Sequence, residues 1–287
     1  LWIKVNDIKA NDLLEESIKN KVKFHPGWKF TALDNNFDDT IRLSFSFYDE
    51  KDLQIGAERI SNTIENYHKI KVSVLGATGK LGSLIVQEIE KNNDLKYNGP
   101  INRDFDITNI SQNNSVIIDV SLPEATNQLV EKLISSNINV PLIIGTTGEL
   151  NMDLIKTYTE TAPVSIISNF SDGIPAIMEM SKHLNKLPEN WKFKMSETHH
   201  INKKDKPSGT AKSWKDTLNR KCEVDSIREG DVFGEHKLIL SSDNEEIVIY
   251  HKAKNRNIFA EGSLKYIDWI ISQEPGLYYK IDYSKYS

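Results

Sequence analysis

The sequence predicts an α/β protein in which a parallel-sheet domain and a smaller α+β domain follow a small α+β segment. From Lys71 onward, short apolar stretches alternate with amphipathic helical stretches, the pattern of parallel strands joined by crossover helices. After Ile174 the strand-like stretches alternate residue by residue, which favours an open mixed or antiparallel sheet. The changes of pattern predict a segment at residues 1–69, a first domain at residues 71–173 and 256–287, and a second domain at residues 174–255.

The N-terminal segment is small for a stand-alone core. We expect strands at residues 2–5 and 22–27 and a helix that ends near Asn66. A further strand at residues 41–47 alternates apolar and polar side chains. Such a strand places Arg42, Ser44 and Ser46 on one face and four apolar side chains on the other: Ile41, Leu43, Phe45 and Phe47.

The first domain is predicted from short apolar strands with helices between them. The polar stretch at residues 92–114 is too short for a full strand–helix–strand unit, so the second strand of the sheet stays poorly defined. A final helix at residues 258–272 should return to this domain. The predicted strands are residues 71–75, 116–120, 142–144 and 164–167, and the predicted helices are residues 81–91, 123–135 and 152–161.

The second domain is predicted to begin with a helix after Ile174. Arg228-Glu229-Gly230 and Gly234-Glu235-His236 indicate a tight turn with a structural role. The predicted strands are residues 191–196, 236–240 and 246–251, and a second helix is predicted at residues 209–219.

Composition and charge exclude several classes of partner. The 287 residues carry a formal net charge of -5, so no overall positive field favours nucleic acid or an anionic membrane. Cys222 is the single cysteine, which excludes an internal disulfide and suits a reducing compartment. No apolar stretch reaches the roughly 20 residues that cross a bilayer, and the first residues lack a signal-peptide pattern. We therefore expect a cytoplasmic protein that binds neither nucleic acid nor membrane.

A glycine-rich turn at Gly76–Gly82 predicts a dinucleotide site. It follows an apolar strand and opens an amphipathic helix, as in Rossmann-like domains, where glycines let the backbone approach a pyrophosphate at the helix N-terminus. The alternative is a glycine-rich turn without a ligand. No acidic residue clearly ends a second strand to bind the ribose; Asp94, Arg103 and Asp104 are the candidates. The choice between NADH and NADPH therefore stays open.

Two further loops place small polar residues directly after buried strands: Gly145-Thr146-Thr147-Gly148 and Ser168-Asn169-Phe170-Ser171. Open α/β sheets bind ligands at the C-terminal ends of their strands. Each loop could also be a simple strand-to-helix connection. Because both follow consecutive strands, we favour a shared ligand site.

The residues from Glu197 to Thr210 predict a site for an acidic small molecule. Two histidines and three lysines precede a helix start at Ser208-Gly209-Thr210, whose free N–H groups and dipole attract a carboxylate or phosphate. Imidazoles are also the usual proton donors near neutral pH. The simpler alternatives are a packed histidine pair and a solvated lysine loop. Zinc is disfavoured, because no carboxylate or cysteine at ligand spacing completes a set with His199 and His200.

With these motifs in this order, residues 71–287 resemble the 4-hydroxy-tetrahydrodipicolinate (dihydrodipicolinate) reductase family. The stretch from Glu197 to Thr210 carries most of the resemblance, and Arg228 with Gly234-Glu235-His236 adds to it. The resemblance implies an oxidoreductase of lysine and diaminopimelate biosynthesis that reduces a small cyclic dicarboxylate with NADPH or NADH. It also implies a homotetramer assembled through the sheet of the second domain.

The resemblance assigns roles to individual residues. His199 and Lys203 would be catalytic, in proton transfer, and His200, Gly209 and Thr210 would bind the substrate. No metal is implied. Cofactor contacts would fall on Gly76, Ala77, Thr78, Gly79, Lys80 and Leu81, on Gly145, Thr146 and Thr147, and on Ile167, Ser168, Asn169 and Phe170.

Residues 1–69 resemble the C-terminal end of a fold-type I pyridoxal-phosphate aminotransferase. The resemblance rests on the turn Phe24-His25-Pro26-Gly27 and on Arg42, which matches the arginine that binds an amino-acid carboxylate. The Schiff-base lysine domain of such enzymes has no counterpart in this sequence, so transamination by this chain is not expected. Two rival functions remain for the whole chain: another NAD(P)-dependent oxidoreductase and a non-catalytic nucleotide sensor.

Overall fold

The computed structural model describes residues 1–6, 8–31, 37–102, 107, 110 and 115–279. The pattern of contacts divides the chain into two compact units, Leu1–Ile70 and Lys71–Ser287. Within the described residues, no helix combines the length and the apolar character that crossing a membrane requires.

The first unit combines a three-stranded antiparallel sheet with two helices that contact each other. Its core includes Leu13 of the first helix, Phe24, and Ile41 of the central strand. The elements are β1 (Trp2–Lys4), α1 (Ala10–Lys19), β2 (His25–Pro26), a 3₁₀ helix (Gly27–Phe30), β3 (Thr40–Arg42) and α2 (Glu50–Tyr67).

Strand β3 is shorter than the sequence predicts. Its pairing with β1 ends near Leu43, whose N–H donates to the Leu1 carbonyl at 2.9 Å. The predicted extent of this strand to residue 47 is wrong, and Phe45 and Phe47 are 63% and 87% exposed. Alternation of apolar residues buries a strand face only where a neighbouring strand and a helix cover it, and the pairing of β3 with β1 does not extend to these residues.

A six-stranded sheet forms the centre of the second unit and confirms the predicted α/β class. Its strands are β4 (Ile70–Leu75), β5 (Leu95–Ile101), β6 (Ser115–Asp119), β7 (Leu142–Ile144), β8 (Pro163–Ile166) and β13 (Gly276–Tyr278). Their order is β13-β8-β7-β6-β4-β5, and the pairs β4–β6, β6–β7, β7–β8 and β8–β13 are parallel. The associated helices are α3 (Gly82–Lys91), α4 (Pro123–Ser135), α5 (Met152–Thr159) and α8 (Asn257–Ile271).

Strand β5 is the second strand that the sequence leaves poorly defined. It lies at the edge of the sheet beside β4, and it contains Gly99 and Pro100, residues that are poor strand formers but tolerated at an edge. Asp94 precedes this strand, so it does not occupy the ribose position that follows a second strand. Arg103 and Asp104 lie outside the described residues.

A four-stranded mixed sheet forms the second layer of this unit. The strands are β9 (Lys192–His199), β10 (Cys222–Arg228), β11 (Glu235–Ser241) and β12 (Glu246–Lys252), in the order β10-β9-β11-β12. Strand β10 runs parallel to β9, and the other two pairs are antiparallel. Helices α6 (Gly173–Leu184) and α7 (Gly209–Asp216) pack on one face, with Trp214, Met195 and Leu238 in the core. The sequence analysis missed β10, an edge strand with charged residues on its outer face.

Helix α8 returns to the six-stranded sheet, as predicted, and contacts α3, β7 and β8. Its Gly262 lies directly against the loop that follows β8, because a Cβ atom at this position would lie 1.7 Å from the Phe170 carbonyl oxygen. Only glycine allows this close approach. The helix therefore fixes the height of the Phe170 loop above the sheet.

Removing the Tyr158 hydroxyl should destabilise the second unit by about 1–3 kcal/mol, the cost of leaving a buried polar group unpaired. This phenol is 1% exposed; it accepts from the Val140 N–H at 3.0 Å and donates to the Val140 carbonyl at 2.7 Å. Denaturant unfolding of Tyr158→Phe would measure the loss. Tyr278→Phe is the matched control, because the Tyr278 hydroxyl is near solvent. Equal free energies of unfolding for the two variants would contradict the prediction.

Candidate active site

One cleft in the second unit brings together loops from both of its sheets. Besides the predicted residues, it is lined by Phe233, Arg256 and Phe259. Six predicted residues are not part of the lining: Gly76, Ala77, Thr78, Gly79, Thr146 and Gly209. The predicted residues that line it are Lys80, Leu81, Gly145, Thr147, Ile167, Ser168, Asn169, Phe170, His199, His200, Lys203 and Thr210.

The glycine-rich turn is built by close backbone contacts. Gly76 has φ of +86°, a left-handed conformation, and a Cβ there would lie 2.7 Å from the Val120 carbonyl oxygen. A Cβ on Gly82 would lie 2.1 Å from the Gly76 carbonyl oxygen, and the Gly79 N–H donates to that same oxygen at 2.9 Å. The turn thus packs directly on the start of α3, and a helix N-terminus is a place where an anion can bind.

Thr146 does not line the cleft, and its side chain anchors its loop to the end of β6. Its hydroxyl donates to Asp119 at 2.9 Å and accepts from the Ser121 N–H at 2.9 Å. Burial raises the pKa of Asp119, although the hydroxyls of Ser121, Thr126 and Thr146 all donate to it. The adjacent Gly145 lies against the Phe170 ring. A Cβ atom on Gly145 would lie 2.5 Å from a carbon of that ring. Asp119, which the sequence analysis missed, therefore anchors the loop after β7.

Asn169 connects the loop after β8 with the start of α7. Its side-chain amide donates to the Thr210 hydroxyl oxygen at 3.0 Å, and its carbonyl oxygen accepts from the Ser171 N–H at 2.8 Å. Ser168 adds a hydroxyl contact to Ser213 at 3.3 Å. The two predicted binding loops, one for the cofactor and one for the substrate, are thus in direct hydrogen-bond contact.

Strand register places a group of polar side chains on one face of the mixed sheet. Residues of β9 alternate, so Glu197 and His199 share the face that carries the core residue Met195. Arg228 of β10 pairs with His199, and His236 of β11 pairs with Glu197. The four polar side chains therefore meet at one end of the sheet beside the cleft.

Glu197 is the buried centre of this group. One carboxylate oxygen contacts Nδ1 of His199, and the other accepts from Arg228 at 2.8 Å and from the Ser208 N–H at 3.3 Å. Burial alone would raise the pKa of Glu197, but the hydrogen bonds from His199 and Arg228 lower it well below the usual range. Glu197 is therefore an anion at neutral pH, and it orients the imidazole of His199.

Lys203 is held by a carboxylate of its own loop. Its Nζ atom lies 2.9 Å from Asp205, whose second oxygen accepts from the Gly209 N–H at 3.3 Å. Ser208 is the N-cap of α7, and its side-chain oxygen accepts from the Ala211 N–H. Of the N–H groups at the start of this helix, the Thr210 N–H is therefore the one without an acceptor among the described residues. The Gly209 N–H thus already has Asp205 as its acceptor, and its use by a substrate anion stays a prediction. The Thr210 N–H is the donor that is available.

His200 lies in a positively charged part of the cleft. Burial lowers its pKa, and the nearby cations Arg256, Lys80 and Lys203 lower it further. Arg256 lies 5.3 Å from the centre of the Phe233 ring, a cation–π contact that orients the guanidinium. A neutral imidazole among three cations suits a ligand with more than one negative charge.

The geometry revises one argument about metals. Within the described residues, Glu197, His199 and His236 place candidate ligand atoms within 4.8 Å of one another, so the premise that no carboxylate completes a set is wrong. However, both Glu197 oxygens already accept hydrogen bonds, one of them from the Arg228 guanidinium. A dication at this position would lie beside a fixed positive charge. The absence of a metal stays a prediction.

Comparison with known proteins places this cleft in a family. Two family models match the second unit: "Dihydrodipicolinate reductase, N-terminus" over residues 70–170 and "Dihydrodipicolinate reductase, C-terminus" over residues 173–283. A 4-hydroxy-tetrahydrodipicolinate reductase of Bdellovibrio bacteriovorus is 36% identical over 219 residues, which are 73% of this chain and 94% of that protein. The chain belongs to the dihydrodipicolinate reductase family.

Other relatives of the dihydrodipicolinate reductase family agree. The Rickettsia akari 4-hydroxy-tetrahydrodipicolinate reductase is 32% identical over 241 residues. The match covers 76% of this chain and 98% of that protein. A solved structure, a dipicolinate-bound dihydrodipicolinate reductase from Paenisporosarcina sp. TG-14, shares the fold with a TM-score of 0.55 at 18% identity, covering 74% of this chain and 97% of that chain. Both family-model matches lie almost entirely in the second unit, so the aminotransferase resemblance of residues 1–69 stays a prediction.

The sequence analysis of this dihydrodipicolinate reductase family member missed residues that line the cleft, among them Arg256, and three that lie beside it, Glu197, Arg228 and His236. Glu197 could have been found, because residues two apart on a strand share a face with each other. Arg228 and His236 could not, because their contacts with β9 depend on strand register. Arg256 lies just before α8 and enters the cleft only through the return of that helix.

Acid should destabilise the reductase fold through His236. Its ring is 1% exposed, and burial, with the nearby His199, lowers its pKa to about 3; Glu197, His251 and Lys203 are the other charged or titratable groups that face it. The unfolded chain binds a proton at His236 below about pH 6.5 and the folded chain does not, so stability falls with decreasing pH by up to about 1.4 kcal/mol per unit. Denaturant unfolding at several pH values would show a shallower slope for His236→Leu between about pH 6.5 and 4.5. Parallel curves for the two proteins would contradict this.

Proposed function

We propose that this chain reduces 4-hydroxy-tetrahydrodipicolinate to tetrahydrodipicolinate with NADPH or NADH, a step of lysine and diaminopimelate biosynthesis. The observation that carries the proposal is the identity of 36% to a named reductase over 94% of that protein. The cleft supports it independently, because Lys80 and Leu81 of the glycine turn line it together with His199, Lys203 and Thr210.

The proposed reaction replaces the 4-hydroxyl group of the substrate by hydrogen. A hydride enters the ring, and the hydroxyl leaves as water with one proton. The nicotinamide supplies the hydride when it is bound. The protein must therefore hold two substrate carboxylates, exclude bulk water and deliver a proton at a defined atom.

The substrate residues are assigned from the cleft. The Thr210 N–H and hydroxyl would hold one carboxylate at the start of α7, and His200 with the cations around it would hold the other. The Gly209 N–H would hold the same carboxylate once a substrate oxygen replaces Asp205 as its acceptor. His199 and Lys203 would deliver the proton.

The cofactor residues are assigned from the loops of the six-stranded sheet. The turn Gly76–Leu81 would hold the pyrophosphate, since Gly76 and Gly82 let the turn pack closely against the start of α3, whose N-terminal N–H groups attract an anion. The loop from Gly145 to Thr147 and the loop from Ile167 to Phe170 would flank the nicotinamide half. On this assignment residues 71–173 and 256–287 form the cofactor domain and residues 174–255 the substrate domain. The buried thiol of Cys222 suits a reducing compartment such as the cytoplasm.

Oxidation of NADPH and of NADH by the purified chain tests the function, with substrate generated in place from pyruvate and aspartate semialdehyde. Turnover that requires His199 and Lys203 would support the reductase. Nucleotide binding without turnover would favour the non-catalytic sensor, and turnover that survives both substitutions would favour another oxidoreductase.

Two substitutions should separate proton delivery from substrate binding. Lys203→Ala should lower kcat by about 100-fold or more, as loss of a general acid does. Thr210→Val should mainly raise KM, because it removes the hydroxyl at the carboxylate site. Steady-state kinetics would measure both, with Lys204→Ala as the matched control on the exposed side of the same loop. Equal effects of the two variants on kcat and KM would contradict this division of roles.

A homotetramer is proposed from the uncovered face of the mixed sheet. The face opposite α6 and α7 exposes apolar side chains: Ile227 at 44%, Val248 at 43% and Tyr250 at 50%. Ile227→Asp should therefore convert tetramers into smaller species in light scattering. Ile18→Asp, at a similarly exposed isoleucine of α1, should not. A monomeric unsubstituted chain would contradict the proposal.

A further inference from the structure

Two buried charged residues with no assigned role contact the groups that would transfer the proton. Glu197 and Arg228 form an ion pair at 2.8 Å, and their side chains are 0% and 5% exposed. A buried ion pair is weak evidence for a stabilising role, because desolvation offsets much of its attraction. The direction of its remaining hydrogen bonds is more informative.

Glu197 determines which nitrogen of His199 carries a proton. An ionised carboxylate only accepts hydrogen bonds, so the contact between Glu197 and Nδ1 requires a proton on Nδ1. The other nitrogen, Nε2, lies toward Gly234, where a Cβ would lie 3.3 Å away. The neutral imidazole therefore keeps an acceptor at Nε2, and protonation there makes Nε2 the donor.

Arg228 holds the chain on both sides of Lys204. Its Nε atom donates to the Lys203 carbonyl at 3.2 Å, and an Nη2 hydrogen is directed at the Asp205 carbonyl. Asp205 in turn pairs with the Lys203 ammonium at 2.9 Å. One guanidinium thus contacts the carboxylate that orients His199 and the backbone that carries Lys203.

We propose that Glu197 and Arg228 are positioning residues: Glu197 keeps His199 in the tautomer protonated at Nδ1, and Arg228 holds Glu197 and the Lys203 loop in fixed relation. The inference rests on the proposed function for its kinetic consequence alone. The planar fork of arginine reaches the carboxylate and the two carbonyls at once, whereas the ammonium of lysine is a single point charge.

Glu197→Gln gives a readout that does not depend on activity. A glutamine has one acceptor oxygen, which Arg228 would take, so its NH₂ group would face His199. Nδ1 would then become the acceptor and the proton would move to Nε2. Solid-state ¹⁵N spectra of histidine-labelled protein, at alkaline pH and with His199 assigned by its absence in His199→Gln, should show Nδ1–H in the unsubstituted protein and Nε2–H in Glu197→Gln.

The kinetic expectation for Glu197→Gln is a fall in kcat of about 100-fold with a KM that changes little, since the neutral imidazole would carry its proton on Nε2 and could no longer accept one there. Arg228→Lys should lower kcat by about 10-fold or more, with a changed pH profile. Its matched control is Arg220→Lys, another arginine that donates to backbone carbonyls, at Pro188, Asn185 and Leu187, outside the lining of the cleft. The control should leave kcat and the pH profile unchanged.

The outcomes separate the two proposals. An inactive unsubstituted chain would overturn the proposed function, while the ¹⁵N spectra would still test the tautomer. An Nε2–H tautomer in the unsubstituted protein, or an unchanged tautomer in Glu197→Gln, would overturn the role of Glu197. Equal kcat losses in Arg228→Lys and Arg220→Lys would show that Arg228 acts through general stability. Should Arg228→Lys fail to fold, Glu197→Asp keeps the negative charge but shortens the side chain, which withdraws the carboxylate from His199. Unchanged kcat in Glu197→Asp would overturn the proposal.

Discussion

The ionised carboxylate of Glu197 is the interaction on which the cleft depends. Burying an anion is costly unless donors surround it, and its donors come from three places: His199 on the same strand, Arg228 on β10 and the Ser208 N–H before α7. His199 lies near Glu197 on the strand itself, but Arg228 reaches Glu197 only when β9 and β10 have paired in register. The arrangement therefore exists only in the folded sheet. A one-residue slip of β10 would turn Arg228 to the opposite face and leave the carboxylate partly unpaired.

Close packing between backbones has the corresponding role on the cofactor side. Gly82 contacts the Gly76 carbonyl, Gly145 lies under the Phe170 ring, and Gly262 contacts the Phe170 carbonyl. Each contact excludes even a methyl group, so the turn, two loops and α8 are held at fixed distances. The geometry of the glycine turn is therefore a property of packing, because its close backbone contacts depend on glycine at these positions.

The sequence predicted best those parts whose burial is complete. Strands β6 and β7 are buried along their whole length, so an uninterrupted apolar stretch marks them, and the predicted boundaries nearly agree with the observed ones. The edge strands β5 and β10 are covered on one face at most, and their polar and charged residues conceal them. Phe45 and Phe47 show the converse, since alternation alone does not bury a side chain that no neighbouring strand covers.

The candidate site divides in the same way. Local motifs identified His199, Lys203 and Thr210, because a basic loop before a helix start has a recognisable composition. Local sequence does not show which backbone N–H group is available to a ligand. The Gly209 N–H donates to Asp205, so the available N–H group is that of Thr210. Arg228 is the extreme case. Its sequence surroundings favour a turn, and its three-way contact appears only when β10 lies beside β9.

The contact between Asn169 and Thr210 connects the two loops that are proposed to bind the cofactor and the substrate. Asn169 uses its amide donor on Thr210 and its carbonyl oxygen on the Ser171 N–H, so one planar group connects the loop after β8 to the start of α7. A ligand that reorients the Asn169 amide would remove the hydrogen bond that this amide donates to the Thr210 hydroxyl. A carboxylate that moves the Thr210 hydroxyl would take away the acceptor of that same hydrogen bond. On the proposed assignment of these loops, cofactor and substrate binding would be coupled through this hydrogen bond, and by linkage the coupling would have the same size in both directions.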